Sequence, residues 1–375
     1  MVSYNLNYLS KRNIKLYEQE TPIDLFSTKK LNVDIVKSGM VYPCSHDGKR
    51  EGVFDSNGNF IARTNLHEVL GDKPLYPKNE VPHKHKVAIY IGDLYSCFGH
   101  SLTDNLKKLW FLKTEAGKDL LAKGAEIVYV TFNGEKLGKH VFRIFELAGF
   151  DLHRAIEVTE PLTFDFVYIP EDSIFIEEER RYYTKEFKSA VDSIIQKAHL
   201  RVSVPSYQKI YLSRTLLKDK EDFGELKIEK AFANKGYKVI HPEKYSVEEQ
   251  VCYLNQTTEV AATLGSISHL SLFALPETKV VILLKNDYLN TYQTVIDAIA
   301  GNNVIYINSH HTFKQKKFWD GPFYLSITQH LSLFLCVNSF LNFRVLDIEW
   351  YRYMYRFLQL KKQAIKRKLV LLLKQ

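Results

Sequence analysis

Two chemically capable side chains stand close together, shortly after a predicted buried strand over residues 86–91. They are His100 and Asp104, in the run FGHSLTDNL. Residues four apart lie on one face of a helix, and a carboxylate beside an imidazole suits general-base chemistry. The alternative is that Asp104 only stabilises the positive first turn of a helix. Its position at the carboxyl end of a strand favours the functional interpretation, because open α/β sheets bind ligands there.

Two further candidates lie at predicted strand ends in the second half of the chain. Arg214 closes a strand over residues 209–213, and its guanidinium suits bidentate contact with phosphate. The run Gly265-Ser266-Ile267-Ser268-His269 lies between a buried strand and a helix, where small residues expose backbone N–H groups to an anion. Taken singly, these features are more typical of a solvated arginine and a tight turn. Three such features at strand ends favour a binding site.

Several motifs of other chemistries are absent from the sequence. It contains no Asp-x-Asp for a metal-bound nucleotide sugar, no GxGxxG or GxxxxGK[ST] phosphate loop, no HExxH and no GxSxG. The histidines of the 83–85 and 310–311 pairs are interpreted as isolated surface residues rather than ligand sets. We therefore expect neither a metal nor a cofactor.

The elements around these residues alternate as in an α/β protein. In the first half, strands are predicted at 86–91 and 126–130, and helices at 100–113, 136–148 and 183–198. The first 85 residues carry hairpin signals, chiefly Asn57-Gly58, which suits a type I′ turn.

Pro205 marks a boundary, and beyond it the alternation is more regular. Strands are predicted at 209–213, 237–240, 258–264, 279–285 and 304–307, with helices at 222–234, from 266 and at 291–300. Gly236 is expected to end a helix in the left-handed conformation, and Ser246 with Glu249 forms a capping box. This pattern predicts a parallel, doubly wound sheet. Two such α/β halves would hold a ligand in the cleft between them.

The net charge of +8 is confined to the end of the chain. Residues 351–375 hold eight basic and no acidic residues, so the preceding 350 hold 43 of each sign. A nucleic-acid-binding protein would spread its basic residues over a folded face, so the distribution argues against that class.

The basic end also has a helical apolar pattern, carried by Trp350, Met354, Phe357, Leu358, Ile365, Leu369 and Leu372. This pattern is typical of a helix that lies on an anionic membrane surface through residues 350–375. The alternative is a C-terminal helix that packs back across the first domain with its basic side chains solvated. The sequence leaves both open.

Cysteine usage and hydropathy bear on the compartment. The four cysteines show no CxxC spacing, so a reducing cytoplasm is expected. The amino terminus lacks the apolar core of a signal peptide. The most apolar stretch, residues 331–343, falls short of the about 20 residues that a bilayer requires. We expect a cytoplasmic protein, with the inner face of the membrane as a possible peripheral location.

The motifs also occur in an order that resembles glycosyltransferase family 61. Residues 88–112 contain GHSLTDNLKKLW, where the family typically has Gly-His-x-Leu-Thr-Glu-x-Leu-x-x-Leu-Trp. KIYLSRT, GYKVIHPEKYSVEEQ and VAATLGSISHLSLFALPET follow in family order. The resemblance covers roughly residues 86–307.

The resemblance implies a GT-B-like enzyme with two Rossmann-type domains facing a cleft. It would transfer a sugar from a nucleotide-sugar donor, expected to be UDP-linked, with inversion and without a bound metal. The acceptor would be a saccharide or a lipid-linked saccharide in capsule or other surface-polysaccharide synthesis. The implied division is a β-rich segment (1–85) packed on the first domain, an acceptor-side domain (86–204), a nucleotide-sugar-binding domain (205–310) and a helical region with a basic tail (311–375).

Site roles follow from the same resemblance. Asp104 takes the place of the family's acidic residue as general base, and His100 would line the acceptor side. The implied donor-binding residues are Arg214 for the diphosphate, Glu243 for the nucleoside, and Gly265, Ser266 and His269 in the donor loop. Thr215 replaces the second arginine of the family's Ser-Arg-Arg.

Two other functions remain open at this point. One is a non-catalytic scaffold that binds a sugar or a partner enzyme in the same assembly. The other is a phosphorylated-sugar transferase or epimerase built on the same double-Rossmann frame. Depletion of a nucleotide-sugar donor distinguishes the enzyme from the scaffold.

Overall fold

The computed structural model describes residues 2–21, 24–43, 52–64, 81–217, 221–313, 321–337 and 347–372, the side chains of Glu20 and of 367–372 excepted. It divides the chain into two compact units. The first unit is residues 25–203, and the second unit combines residues 1–24 with residues 204–375.

Most predicted elements are confirmed. The strands are β1 (Ser3–Tyr8), β2 (Val33–Lys37), β3 (Met40–Tyr42), β4 (Gly52–Phe54), β5 (His83–Leu94), β6 (Glu126–Thr131), β7 (Ile156–Glu157), β8 (Leu162–Pro170), β9 (Ile174–Glu177), β10 (Arg180–Tyr183), β11 (Lys209–Leu212), β12 (Asp222–Phe223), β13 (Lys238–Ile240), β14 (Glu259–Thr263), β15 (Lys279–Leu284), β16 (Asn303–Asn308) and β17 (Phe323–Tyr324). The α-helices are α1 (Lys11–Glu20), α2 (Phe98–Ser101), α3 (Glu115–Ala122), α4 (Lys139–Ala148), α5 (Lys185–Arg201), α6 (Glu225–Ala233), α7 (Val247–Leu254), α8 (Thr291–Ala300), α9 (Gln329–Leu335) and α10 (Ile348–Leu372). The left-handed Gly236 and the capping box that begins α7 are both present.

The sheet of the first unit is parallel at its centre. Its order is β4-β3-β8-β5-β6-β7, and β5 pairs in parallel with both β6 and β8. The antiparallel strands β2 and β3 complete it beside β8. β6 and β7 lie on one side of β5, whereas β8, which comes later in the chain, lies on the other side. The strand order therefore reverses between β5 and β8, and their carboxyl ends form the topological switch point where α/β sheets bind ligands.

The sheet of the second unit is parallel throughout, in the order β1-β16-β15-β14-β11-β13. Its central strands are continuous apolar runs, because both faces of a parallel sheet are covered. The order reverses at β11, as in a doubly wound sheet, so the switch point lies between the carboxyl ends of β11 and β14.

The amino terminus differs from the prediction. Residues 1–85 were expected to pack together on the first domain, but residues 1–24 belong to the second unit. The reason is that β1 pairs in parallel with the edge strand β16, from Ser3 opposite Asn303 to Tyr8 opposite Ile307. That pairing satisfies backbone groups which an open edge would leave exposed.

Two predicted helices are replaced by tighter turns. The helix expected over 100–113 is α2 followed by 3₁₀ turns at Asp104–Leu106 and Leu109–Lys113. The carbonyl of Lys107 accepts from the backbone N–H and the hydroxyl of Ser173, which removes it from a regular helix. The helix expected from residue 266 is a six-residue 3₁₀ helix, Ser268–Phe273.

The hairpin turn near residue 57 is also of another type. Only Gly58 of the Asn57-Gly58 pair has a positive φ, whereas a type I′ turn needs both. The carboxylate of Asp55 accepts from the backbone N–H groups of Asn57 and Asn59, which sets a different turn.

Candidate functional site

The structure brings His100 and Asp104 together although they do not share a regular helix. His100 ends up in α2 and Asp104 opens the following 3₁₀ turn, beyond the carboxyl end of β5. His100 Nδ1 lies 2.6 Å from Asp104 Oδ2. The imidazole is 32% exposed and the carboxylate is 4% exposed. A buried carboxylate therefore orients an imidazole that faces outward, which is the arrangement of an acid–base pair.

Neighbouring side chains hold this pair in place. The ring of Tyr95 stacks on the imidazole of His100 and also on the ring of Phe132, each at a centroid distance of 4.6 Å. The amide of Asn105 bonds both the backbone N–H and the carbonyl of Tyr95, each at 2.9 Å. The loop between β5 and α2 is thus fixed by a side chain that sequence reasoning had not singled out.

A buried ion cluster lies beneath the pair. Lys107 Nζ and Lys108 Nζ approach the two oxygens of Asp172 at 2.7 and 2.5 Å, and Lys107 Nζ is 4.0 Å from Asp104 Oδ1. Lys108 also donates to the carbonyl of Pro170, the last residue of β8. The cluster therefore joins the carboxyl end of β8 to the segment that carries Asp104.

The pKa values of Asp172, Lys107 and Lys108 are shifted in different directions. Burial raises the pKa of Asp172, but the two lysines outweigh it, so the net pKa is below its usual range. Burial lowers the pKa of Lys107, but Asp172 and Asp104 outweigh burial and raise it. For Lys108, burial prevails over Asp172 and the pKa is lowered.

In the second unit, two cations share one buried carboxylate. Arg214 Nη1 lies 2.9 Å from Asp222 Oδ2, and Lys285 Nζ lies 3.4 Å from Asp222 Oδ1. Arg214 follows β11 and Lys285 follows β15, so both leave carboxyl ends of the parallel sheet. Burial lowers the pKa of Lys285, the carboxylate of Asp222 opposes this, and the Arg214 guanidinium adds to it, with a net lowering.

The loop at Gly265 lies beside Lys285. Gly265 has φ +138°, and a Cβ built on it would stand 3.5 Å from Lys285 Nζ. The backbone N–H of Gly265 donates to Ser268 Oγ at 3.1 Å, so this group is engaged within the loop. The loop opens a short 3₁₀ helix and not the α-helix on which the predicted backbone anion site depended. Among the residues that the structure describes, Arg214 and Lys285 bring cationic side chains to this switch point.

The remaining predicted residues have different surroundings. Ser266 is half-buried, whereas His269 is buried, with its ring 6.3 Å from that of Tyr292. Glu243 is exposed on the 3₁₀ turn Pro242–Lys244, after the edge strand β13. Thr215 donates to Glu229 at 2.5 Å, as Ser213 does at 2.6 Å. Thr215 therefore stabilises its own loop in the position of the family's second arginine.

A polar chain supports the Gly265 loop from below. Ser268 Oγ donates to the amide oxygen of Gln293 at 2.6 Å, and the Gln293 amide nitrogen donates to Asp297 at 2.8 Å. Tyr306 also donates to Asp297 at 2.8 Å. Burial raises the pKa of Asp297 to about 7, although both hydrogen bonds lower it.

The surface histidines are less isolated than the sequence suggests. His83 Nε2 lies 2.8 Å from Asp165, and His85 Nδ1 lies 3.6 Å from the same carboxylate oxygen. His310 Nε2 lies 3.3 Å from Asp287. Among the described residues, the group able to hold a metal ion is His83, His85 and Asp165, and it shares no residue with the two switch-point clusters. The expectation of isolated histidines was wrong, because carboxylates lie beside them: Asp165 on the neighbouring strand β8 and Asp287 in the loop after β15.

Comparison with known families gives a match. The model of the family described as Glycosyltransferase 61 matches residues 98–281. The chain contains a glycosyltransferase family 61 domain. It is accordingly a glycosyltransferase, and a sugar donor and an acceptor are its ligands. A search among curated proteins found no match.

The match to family 61 begins at Phe98, the first residue of α2, and ends within β15. It spans every site residue that the sequence predicted. Sequence reasoning missed Lys107, Lys108 and Asp172, because paired lysines in a predicted amphipathic helix are normally solvated. It also missed Lys285, which lies beyond the match. The available signal was its position directly after a strand of the parallel sheet.

Proposed function

We propose that the enzyme is an inverting, metal-independent GT-B glycosyltransferase. It would move a sugar from a UDP-linked donor to a saccharide or lipid-linked saccharide acceptor in capsule or other surface-polysaccharide synthesis. The observation that carries the proposal is the His100–Asp104 pair at the switch point of the first sheet. The absence of Asp-x-Asp from the sequence supports independence from metal, and Arg214 with Lys285 offers positive charge in its place.

The base is the His100–Asp104 pair. Inverting transfer needs one group that takes the proton of the acceptor hydroxyl as the new bond forms. In our proposal the outward imidazole of His100 receives this proton, while buried Asp104 orients the ring and stabilises its charged form. Direct proton removal by Asp104, as the family resemblance implies, is the competing assignment. The Asp104 carboxylate is 4% exposed, which favours the imidazole.

The leaving group is the donor's nucleoside diphosphate. Its departure develops negative charge, which fixed cations stabilise. Arg214 and Lys285 would supply two such cations, and Asp222 holds both in position before the donor arrives. In this proposal Gly265 and Ser266 line the diphosphate beside Lys285, while Glu243 contacts the nucleoside. Buried His269 shapes the loop from within.

The decisive experiment is donor profiling. The purified chain would be incubated with a panel of nucleotides and nucleotide sugars, and thermal unfolding would be followed for each. UDP and one UDP-sugar are expected to raise Tm, and the same UDP-sugar should be consumed when acceptor is added. Preference for another nucleotide would refute the UDP assignment. Transfer that persists unchanged in EDTA supports independence from metal, whereas its loss would refute it.

We further propose that α10 binds the inner face of the cytoplasmic membrane. Trp350, Tyr353 and Phe357 pack against the ring of Phe313 within the second unit. The apolar face predicted from the sequence is therefore partly used for packing within the second unit. The described residues include no helix long and apolar enough to cross a membrane.

Another face of α10 carries the membrane proposal. Ile348, Tyr355, Leu358 and Ile365 are 59–67% exposed, and their spacing places them on one side of the helix. Exposed Lys361, Lys362 and Lys366 lie on the same helix, and no acidic residue follows Glu349. Apolar side chains among lysines match an anionic lipid surface.

Vesicle sedimentation tests this face. Wild-type protein should sediment with phosphatidylglycerol vesicles at low salt and not with phosphatidylcholine vesicles. Leu358→Asp with Tyr355→Asp should abolish sedimentation. Leu200→Asp, at an apolar residue of α5 that is 80% exposed, is the matched control and should sediment normally. If the wild-type protein sediments with neither kind of vesicle, the membrane contact is refuted. The proposed transfer reaction does not depend on that result.

A further inference from the structure

Three potential metal ligands converge at the beginning of the first unit's central strand. His83 and His85 belong to β5, and Asp165 belongs to the neighbouring strand β8. Their ligand atoms all lie within 4.8 Å of one another. Ligand atoms about 2.0–2.1 Å from a tetrahedral zinc ion stand roughly 3.4 Å apart. Small side-chain rotations would therefore complete a binding site.

We propose that His83, His85 and Asp165 bind one Zn²⁺ ion. Two imidazole nitrogens and one carboxylate oxygen form a donor set that suits zinc, whereas Mg²⁺ and Ca²⁺ prefer oxygen ligands. Three protein ligands leave a fourth tetrahedral position for water or for another ligand. This ion goes beyond the proposed transfer reaction and has no part in it.

The strand geometry explains why these residues meet. Side chains two apart on a strand point to the same face, which places His83 and His85 together. The neighbouring lysines, Lys84 and Lys86, do not repel a cation there, because they pair with Glu126 at 3.3 and 2.6 Å. The pairing register of β5 with β8 shifts between Lys84 and Val87, a local irregularity beside the cluster.

The position indicates a structural role for the ion. His85 and the last residue of β5, Leu94, are nine residues apart, which is about 30 Å along a strand. The ion would therefore lie at the end of the sheet opposite to His100 and Asp104. It would join the two central strands, β5 and β8, and stabilise the folded state by mass action.

Zinc titration of the full-length chain, without a histidine tag and after EDTA treatment, tests the proposal. Calorimetry is expected to show one Zn²⁺ per chain, and zinc should raise the Tm. His83→Ala, His85→Ala and Asp165→Asn should each weaken zinc binding by at least about tenfold. Mg²⁺ should not bind. The matched control is His153→Ala, at an exposed histidine of the same unit that lies outside the cluster.

Two results would overturn the proposal. One is the absence of zinc binding by the wild-type chain. The other is binding that all three variants retain, which would indicate an adventitious ion elsewhere. The Tm of each variant in EDTA should equal that of the wild type, because the three side chains are on the surface. A variant that unfolds early in EDTA is replaced by His85→Gln, at the most exposed of the three side chains.

Discussion

The switch points of the two sheets carry opposite kinds of chemical group. In the first unit, the partly exposed imidazole of His100 is oriented by the buried carboxylate of Asp104. In the second unit, two cations, Arg214 and Lys285, are held by a buried carboxylate, Asp222. The same topology thus positions the proton acceptor of our proposal in one unit and its anion-binding cations in the other. Function resides in the loops after the strands, and the sheets only position them.

The support beneath each site differs as well. Asp172 in the first unit lies between two buried lysines, Lys107 and Lys108, which hold its pKa below the usual range. Asp297 in the second unit is buried with neutral hydrogen-bond donors, and its pKa is raised to about 7. Neutral donors offset the burial of a charge less completely than two cations do. The stabilising contributions of Asp172 and Asp297 are therefore expected to respond to pH in opposite ways.

The largest loss of activity is expected when the His100–Asp104 pair in the first unit is disrupted. Asp104→Asn and His100→Gln should each lower kcat by about 10²–10⁴-fold, the usual contribution of a general base. The measurement is transfer at saturating donor and acceptor. Asp119→Asn, at an exposed carboxylate of α3 in the same unit, is the control and should keep full activity.

The pair of variants also separates the two assignments of the base. A larger loss in His100→Gln supports the imidazole as proton acceptor, and a larger loss in Asp104→Asn supports the carboxylate. Near wild-type kcat in both variants would contradict a catalytic role for this switch point.

The next largest effect concerns the ion cluster below that pair. Asp172→Asn leaves two buried lysines without their shared counterion, and we expect a loss of about 3–5 kcal/mol in the free energy of unfolding. Urea unfolding measures it. Asp192→Asn, which removes an exposed ion pair with Lys188, should cost less than about 1 kcal/mol.

The pH dependence follows from the lowered pKa of Asp172. Its stabilising contribution is present above the ordinary carboxyl pKa, near 4, and is lost as pH falls through the lower value in the folded state. The difference between wild type and Asp172→Asn should therefore shrink below about pH 4. A constant difference down to pH 2 would show that the charge of Asp172 is not what stabilises the cluster.

Asp297 is expected to show the opposite dependence. Because the pKa of Asp297 is raised in the folded state, this group makes its full contribution to stability below the ordinary carboxyl pKa. That contribution is lost as pH rises through about 7. Between pH 4 and pH 7 the wild type should lose up to about 4 kcal/mol from this group. Urea unfolding across that range should be flatter for Asp297→Asn. Equal slopes in the two proteins would contradict the burial of a proton-binding carboxyl group.

The smallest predicted effect lies in donor binding by the second unit. Lys285→Met and Arg214→Gln should each lower kcat/KM for the donor by roughly 10–100-fold, as expected for a hydrogen bond to a charged group. Lys279→Met is the matched control, because Lys279 begins β15 and Lys285 follows its end. If Lys285→Met behaves as Lys279→Met does, the second cation has no part in donor binding.

Much of the fold could be predicted from the sequence, because the relevant interactions are local. The apolar runs of β14 and β15, the capping box of α7 and the left-handed Gly236 each depend on neighbouring residues. The α/β alternation and the family followed from these local patterns and from motif order. The same holds for the close approach of His100 and Asp104, which are four residues apart.

Other features depended on contacts between distant residues. The placement of residues 1–24 in the second unit came from the pairing of β1 with β16. The helix expected over 100–113 gave way to turns because Ser173 bonds the carbonyl of Lys107. Lys285 joins Arg214 only because β15 and β11 end at the same edge of a sheet.

The sequence by itself therefore determined the α/β class, the family and the candidate pair of His100 and Asp104. Local propensity and short spacings are enough to predict these features. Only the tertiary structure decided which charged side chains are buried and which share a partner. Asp172 between two lysines, Asp222 between Arg214 and Lys285, and Asp165 beside two histidines each bring together residues far apart in the chain. The pKa and the stabilising contribution of such a charged group depend on its burial and on partners that are distant in the chain. Neither can be predicted from the neighbouring residues in the sequence.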